Sequence, residues 1–234
     1  MSQQTLFPID DTPLGSPSCH DCKLCQVRTK IVFPTHPAAS GILAIGEAPG
    51  AEEDVTGEGF IGKAGKKLDS LMAAHGIARS QYGRANVVRC RPPGNRKPDT
   101  EEKEACLPKL AAAILKFEPR VLLLVGGTAV EAFLGKGLVF DHVMQSRRSP
   151  VCDLGKAHKA LRNGLRPLLD RQEGLLCVPM PHTSGLAWNR YAKDGSRWSV
   201  LGAEQVALAV RHAHAERTGD QPASTPGISS QLVV

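Results

Sequence analysis

Arg120-Val121-Leu122-Leu123-Leu124-Val125-Gly126-Gly127 is the clearest strand in the chain, a short apolar run that ends on two glycines. With no polar alternation it has no solvent face, as expected of a strand covered on both sides in a parallel sheet. The residues from Thr128 through Phe133 continue as a helix. Upstream, Gly41-Ile42-Leu43-Ala44-Ile45-Gly46 repeats the design, and Leu68, Leu71 and Met72 follow at helical spacing with Gly76 as a stop. Asn86-Val87-Val88 reads as a short strand before Cys90, and Pro92-Pro93-Gly94 forces an irregular loop. A helix opens at Thr100, with the threonine as cap and Glu101, Glu102 and Glu104 behind it. Leu175 to Met180 is a weaker last strand, and Gly202 to Glu216 an amphipathic closing helix. Strands alternating with helices predict an α/β fold, a three-layer α/β/α sandwich around a central, mostly parallel four-stranded sheet.

A chain of 234 residues with 41% hydrophobic content can bury one core, so a single domain is expected over residues 18–217. The stretches 1–17 and 218–234, rich in Ser, Pro, Gln, Gly and Thr, read as loose tails. A net charge of +6 and an isoelectric point near 9.0 favour a polyanionic partner. No apolar run is long enough to span a membrane, and the start lacks the pattern of a signal peptide. The expectation is a protein of a reducing compartment, the cytoplasm, whose seven cysteines are ligands or buried thiols instead of disulfides.

Four cysteines stand out. Cys19 and Cys22 share one tight turn, whereas Cys90 and Cys106 are too far apart in sequence to close a local site. Scattered thiolates suit an iron–sulfur cluster, structural zinc prefers two close pairs, and an unligated set remains open from spacing alone. Cys25 would extend the first turn and is the rival ligand; Cys152 and Cys177 read as spare.

Ligands of parallel sheets sit at the carboxyl ends of the strands. Here those ends carry Glu47, Gly126-Gly127 and His182, with Asn86 on the second strand. Gly46-Glu47-Ala48-Pro49-Gly50-Ala51-Glu52-Glu53-Asp54 reads as a tight turn with crowded carboxylates, either a source of a general base or a solvated acidic loop. Pro181-His182-Thr183-Ser184-Gly185-Leu186-Ala187-Trp188 follows the last strand, and either points an imidazole into a cleft or forms a polar surface loop. Leu186 and Trp188 can pack on the core or wedge between bases. Arg89, Arg91, Arg96 and Lys97, then Arg147, Arg148, Lys156, Lys159, Arg162 and Arg166, are either solvated charge or a phosphate track.

Together these motifs resemble family 4 of the uracil-DNA glycosylases, the iron–sulfur branch of that superfamily. The likeness runs from about Cys19 to His182: Cys19-x2-Cys22 with Arg28, Gly46 to Gly50 with Glu53-Asp54, Gly59-Phe60-Ile61-Gly62-Lys63-Ala64-Gly65, and Asn86-x3-Cys90-Arg91-Pro92-Pro93-x-Asn95-Arg96, completed by Cys106. The resemblance implies a 4Fe–4S cluster on Cys19, Cys22, Cys90 and Cys106. It implies that Phe60 stacks on a flipped base, that Asn86 pairs with its edge, and that Gly46 and Ala48 line the same pocket. Glu53, Glu47 and His182 become the catalytic candidates; Ser184, Leu186, Arg91, Arg96, Arg147 and Arg148 the DNA-contacting ones. Where the family carries His-Pro-Ser or His-Pro-Ala, this chain has His182-Thr183-Ser184, a changed minor-groove loop. The connection from Phe140 to Glu173 is also longer and more basic than the family pattern.

The implied activity is excision of uracil from single- or double-stranded DNA to leave an abasic site, by a bacterial-type, nucleoid-associated monomer. No lysine is expected as a Schiff-base nucleophile, so strand cleavage is not expected. The rival reading is a non-catalytic iron–sulfur protein that recognises lesions without cutting them.

Overall fold

The structure is a computed structural model that describes residues 18–170 and 175–218. Its centre is a sheet of four parallel strands, β1 (Ile42–Gly46), β2 (Gly83–Asn86), β3 (Val121–Val125) and β4 (Leu176–Met180), in the order β2-β1-β3-β4. Gly46 pairs with Asn86, Ile45 with Leu124, and Val125 with Met180, so all four carboxyl ends finish at one level.

The run of apolar residues in each strand is divided between two faces. Leu43, Ile45, Leu122 and Leu124 pack with Leu107, Leu110, Ala111 and Ile114 of α3 (Thr100–Phe117) and with Val130 and Phe133 of α4 (Gly127–Leu134). Ile42, Ala44, Leu123, Val125 and Met180 pack instead with Leu68 and Met72 of α2 (Lys63–Ala73) and with Val206, Ala209 and Val210 of α9 (Trp198–Thr218). That is the period-two alternation of a strand with an apolar layer on each side, and it makes the expected three-layer sandwich. The basic connection after α4 is not a loop. It folds as α5 (Val139–Ser146), α6 (Lys159–Gly164) and α7 (Arg166–Asp170), with Leu161 of α6 packed in the α3 layer.

Four readings shift. The second strand begins at Gly83 and ends at Asn86, while Val87 and Val88 leave the ladder with their amides on the carbonyls of Gly46 and Glu47. Arg84 is accommodated because its guanidinium lies over the Tyr82 ring and donates to Arg79 O at 2.7 Å. The cap of α3 is Asp99, one residue earlier than Thr100. Its carboxylate accepts from Glu102 N while Glu102 accepts from Asp99 N, a reciprocal box that a threonine at the next position cannot make. The Glu-rich stretch closes into a helix, α1 (Ala51–Thr56), and α9 starts at Trp198 rather than Gly202. The stretches 1–17 and 219–234, read as tails, lie outside the described residues. No described helix is long and apolar enough to cross a membrane.

Candidate active site and cysteine centre

The level strand ends open into a cavity of about 470 Å³. Gly46, Glu47, Ala48, Glu53, Phe60, Asn86, Arg96, His182 and Ser184 line it, along with Lys63 at the start of α2. Nearly all the residues expected at a base pocket from the sequence therefore share one cavity, although they come from three strand ends, helix α1 and two loops.

The carboxylates read as crowded are separated. Glu47 accepts a hydrogen bond from the Thr128 hydroxyl at the start of α4. Glu53 is buried and accepts three backbone amides, from Gly50 at 3.1 Å, Ile61 at 3.0 Å and Gly62 at 2.9 Å. Asp54 turns the other way and accepts from Thr29 N at 2.9 Å. Only Glu52 stays exposed. Helix geometry explains the divergence, because consecutive residues on α1 project about 100° apart.

Glu53 has a clear local task. It clamps the backbone just after Phe60, whose φ of +58° lies in the left-handed region that bulky residues avoid. On the other side Arg79 donates to Phe60 O at 2.8 Å and to Gly59 O at 2.7 Å, with Asp69 and Glu58 fixing the guanidinium. The ring so placed closes against Asn86: a Cβ added at Gly46 would lie 2.6 Å from Asn86 Oδ1 and 2.7 Å from Phe60 Cζ. Gly65 is required for a related reason, since its Cβ would fall 1.9 Å from Phe60 O. Gly65→Ala is expected to cost about 1–3 kcal/mol by overpacking and to displace the ring. Thermal unfolding with base binding measures both, and unchanged values would remove Phe60 from the pocket wall.

His182 is held from two sides. Its Nδ1 accepts the Ser184 amide at 3.0 Å, so a neutral ring carries its proton on Nε2. Burial lowers its pKa from the usual value, against the opposing pull of the Glu47 charge. The next residue, Thr183, is buried and donates its hydroxyl to Ala64 O at 2.8 Å. That bond, which a proline could not make, ties the histidine loop to the first turn of α2. Behind the ring, Gly126 at φ +89° leaves room: a Cβ there would lie 3.0 Å from His182 Cδ2. Leu186, on the one-turn helix α8 (Gly185–Trp188), is 75% exposed, whereas Trp188 is buried against Gly202. Of the two candidate wedges, only Leu186 is exposed.

The basic candidates differ in availability. Arg148 is exposed; Arg147 pairs with Glu204; Arg91 donates to Asn95 Oδ1 at 2.8 Å. Arg96 makes a two-pronged pair with the fully buried Glu102, at 2.6 and 2.9 Å. Thr128, Arg79 and Lys63 were not singled out as site residues from the sequence, although Thr128 follows the clearest strand end and Lys63 lies in the motif around Phe60.

The cysteines form a second centre. Cys90 and Cys106 are buried, and Cys19 and Cys22 half-buried. Burial pushes the Cys90 thiol up to about 11 and raises Cys22 and Cys106 as well. Charges on Cys19, Cys22 and Cys106 add to those upward shifts. Cations stand against them: Arg28 reaches Cys90 Sγ at 3.7 Å, and the buried Arg89 is influenced by Cys106, Cys19 and Cys90. Lys23 with Asp99 and Lys109 with Asp21 clasp the cysteine turn to the N-terminal cap and the middle of α3. Among the described residues, no three His, Cys, Asp or Glu side chains converge as they would around a single metal ion.

Residues 33–201 match the family model described as the uracil DNA glycosylase superfamily. The type-4 uracil-DNA glycosylase of Thermotoga maritima is 40% identical over 138 residues, covering 58% of this chain and 70% of that protein. That of Pyrobaculum aerophilum is 38% identical over 117 residues, 50% of this chain and 60% of the relative. That of Archaeoglobus fulgidus is 37% identical over 123 residues, 53% and 62%. In these last two the match spans less than two thirds of the relative. With a family match across most of the described residues and a cavity at the carboxyl edge of its sheet, the chain belongs to the uracil-DNA glycosylase superfamily, on its type-4 branch.

Proposed function

We propose that the protein is a monofunctional DNA glycosylase that takes uracil out of DNA and hydrolyses its N-glycosidic bond, leaving an abasic site for base excision repair. One observation carries the reading. Three strand ends deliver an amide, an imidazole with its Nε2 proton free and a carboxylate into one cavity walled by an aromatic ring. Extrusion suits such an arrangement, because the target atom cannot be reached inside a base stack.

In this mechanism Phe60 stacks on the extruded uracil, and the Asn86 amide, both donor and acceptor, reads its pairing edge. As the bond to the sugar breaks, negative charge grows on uracil O2, where the His182 Nε2–H donates. Glu47, oriented by Thr128, supplies the charge that favours an oxocarbenium-like sugar or aligns the attacking water. Glu53 takes a positioning role, since both its oxygens are engaged by backbone amides. Lys63 is exposed, so its ammonium suits a phosphate contact, whereas amine attack needs a desolvated lysine.

Cys19, Cys22, Cys90 and Cys106 hold a 4Fe–4S cluster in the same proposal. A cluster spreads its thiolates over several irons, which fits buried and half-buried thiols from separate segments with Arg28 at 3.7 Å from Cys90 Sγ. Bound there it supplies a structural link between the N-terminal turn, the loop after β2 and α3, and Arg28 and Arg89 offset its negative charge. The reducing cytoplasm, at the nucleoid, is the fitting place of action.

The test is a uracil-containing oligonucleotide incubated with purified protein, then split with and without alkali. Free uracil, with strand breaks only after alkali, is the expected result. Breaks without alkali would show a lyase, and tight binding with no release would favour lesion recognition alone. The rate should also hold constant as pH falls to just below the ordinary histidine pKa. Burial lowers the His182 pKa, so the neutral donor persists through that range and is lost only as pH falls through the depressed value. An acid limb at or above the ordinary value would remove neutral His182 from the rate.

A further inference from the structure

Directly after α8 the chain makes a small hairpin that nothing above employs. Tyr191 and Arg197 form an antiparallel bridge, with Ala192 N on Ser196 O at 2.8 Å, Gly195 at φ +83° in the turn, and Trp198 N on Arg190 O at 3.0 Å. It is anchored rigidly. Ala192 is buried with Phe140 and Leu201, Trp198 meets the Phe140 ring edge-on, and Lys193 pairs with Asp141 of α5.

What the anchored hairpin presents to solvent is unusual. Tyr191 as a residue is 60% exposed, and the Arg197 guanidinium lies over its ring, 5.3 Å from the centroid. Arg190 and Arg197 have no carboxylate partner among the described residues. Asp194, exposed at the turn, accepts from the amide and hydroxyl of Ser196, both at 2.9 Å. An exposed aromatic residue with a guanidinium over its ring, flanked by unpaired positive charge, fits the stacking platforms on which single-stranded nucleic acid binds.

Its place in the chain connects it to the cavity. Ser184 lines the cavity, and one helical turn plus a few residues leads to Tyr191. At about 5.4 Å per turn and roughly 3.4 Å per extended residue, the Tyr191 Cα is no more than about 16 Å from that of Ser184. That is about five nucleotide steps at roughly 3.4 Å each.

We infer that Tyr191 and Arg197 form a second nucleic-acid subsite, which stacks an unpaired base of the DNA strand within a few nucleotides of the extruded uracil. The inference rests on the glycosylase reading for its register, but the binding itself can be measured without catalysis.

The experiment uses the full-length protein and four probes: a uracil-free single strand, a single strand extending well past a uracil on both sides, a trinucleotide with uracil at its centre, and a fully paired duplex. Fluorescence anisotropy gives affinity, competition gives it for the trinucleotide, and uracil release is followed in parallel. Tyr191→Ala should weaken both long strands about tenfold, the scale of one lost base stack. Tyr191→Phe should restore most of that affinity, and Arg197→Gln should lie between. The trinucleotide, which cannot reach the platform, should lose far less. Wild-type affinity in Tyr191→Ala, or an equal loss on the trinucleotide, would overturn the inference. So would an equal loss on fully paired duplex, whose bases offer no free face. If the wild type bound both long strands, with Tyr191→Ala weaker, yet released no uracil, the platform would stand and the glycosylase reading would fall.

Discussion

His182→Ala should lower the single-turnover rate of uracil release by about 10²–10³, the scale of one lost donor to a developing oxyanion, while DNA affinity changes little. The expectation follows from what each side of the ring does. Nδ1 is committed to the Ser184 amide, which leaves Nε2–H as the group to meet charge inside the cavity. Because the ring is neutral, its donor contributes as charge develops in the transition state, rather than by attracting the phosphates of bound DNA. His182→Gln, which restores an N–H without the imidazole geometry, should recover part of the rate. An undiminished rate in His182→Ala would leave Glu47 and Asn86 to account for catalysis alone. An equal loss of affinity and rate would mean instead that the histidine loop had collapsed from its tie to Ala64.

Cys90→Ser should strip the iron from the protein and loosen the clasp of the N-terminal turn on α3. Cys90 is buried, lies under Arg28, and sits between the Asn86 strand end and the loop that carries Arg96. Its loss therefore acts on the pocket as well as on the centre, and thermal stability and uracil release should fall together. Cys25→Ala is the control: its residue lies in the 3-10 turn Lys23–Gln26 outside the four-thiol set, and iron content should stay at the wild-type level. The checks are iron and sulfide analysis with the visible absorption of anaerobically purified protein. Stoichiometric zinc with no iron would sink the cluster assignment, and loss of iron in Cys25→Ala would move a ligand.

How far the sequence reaches is visible in particular residues. Apolar runs such as Val121–Val125 cannot face water, so the count of strands, their parallel arrangement and the covering helices follow from one-dimensional pattern alone. The cavity's ingredients were partly legible, since Glu47 and His182 follow strand ends and Phe60 stands in the glycine-rich motif, whereas Asn86 was read as opening its strand and in fact closes it. Strand boundaries were less so. The second strand's true start at Gly83 depends on Arg84 being buried over Tyr82, a contact no local propensity encodes.

What only the tertiary structure decided is where each polar group spends its hydrogen bonds. Glu52, Glu53 and Asp54 are neighbours in sequence, yet one is solvated, one holds three amides and one secures the segment after the cysteine turn. Thr128 and Glu47 are distant in sequence and bonded in space. Leu186 and Trp188 read alike until packing buries one and leaves the other in solvent. Composition and periodicity report which residues must avoid water, a property each carries alone. The partner of a carboxylate, an imidazole or an aromatic ring is a property of pairs, and those pairs exist only once the strands have lined up.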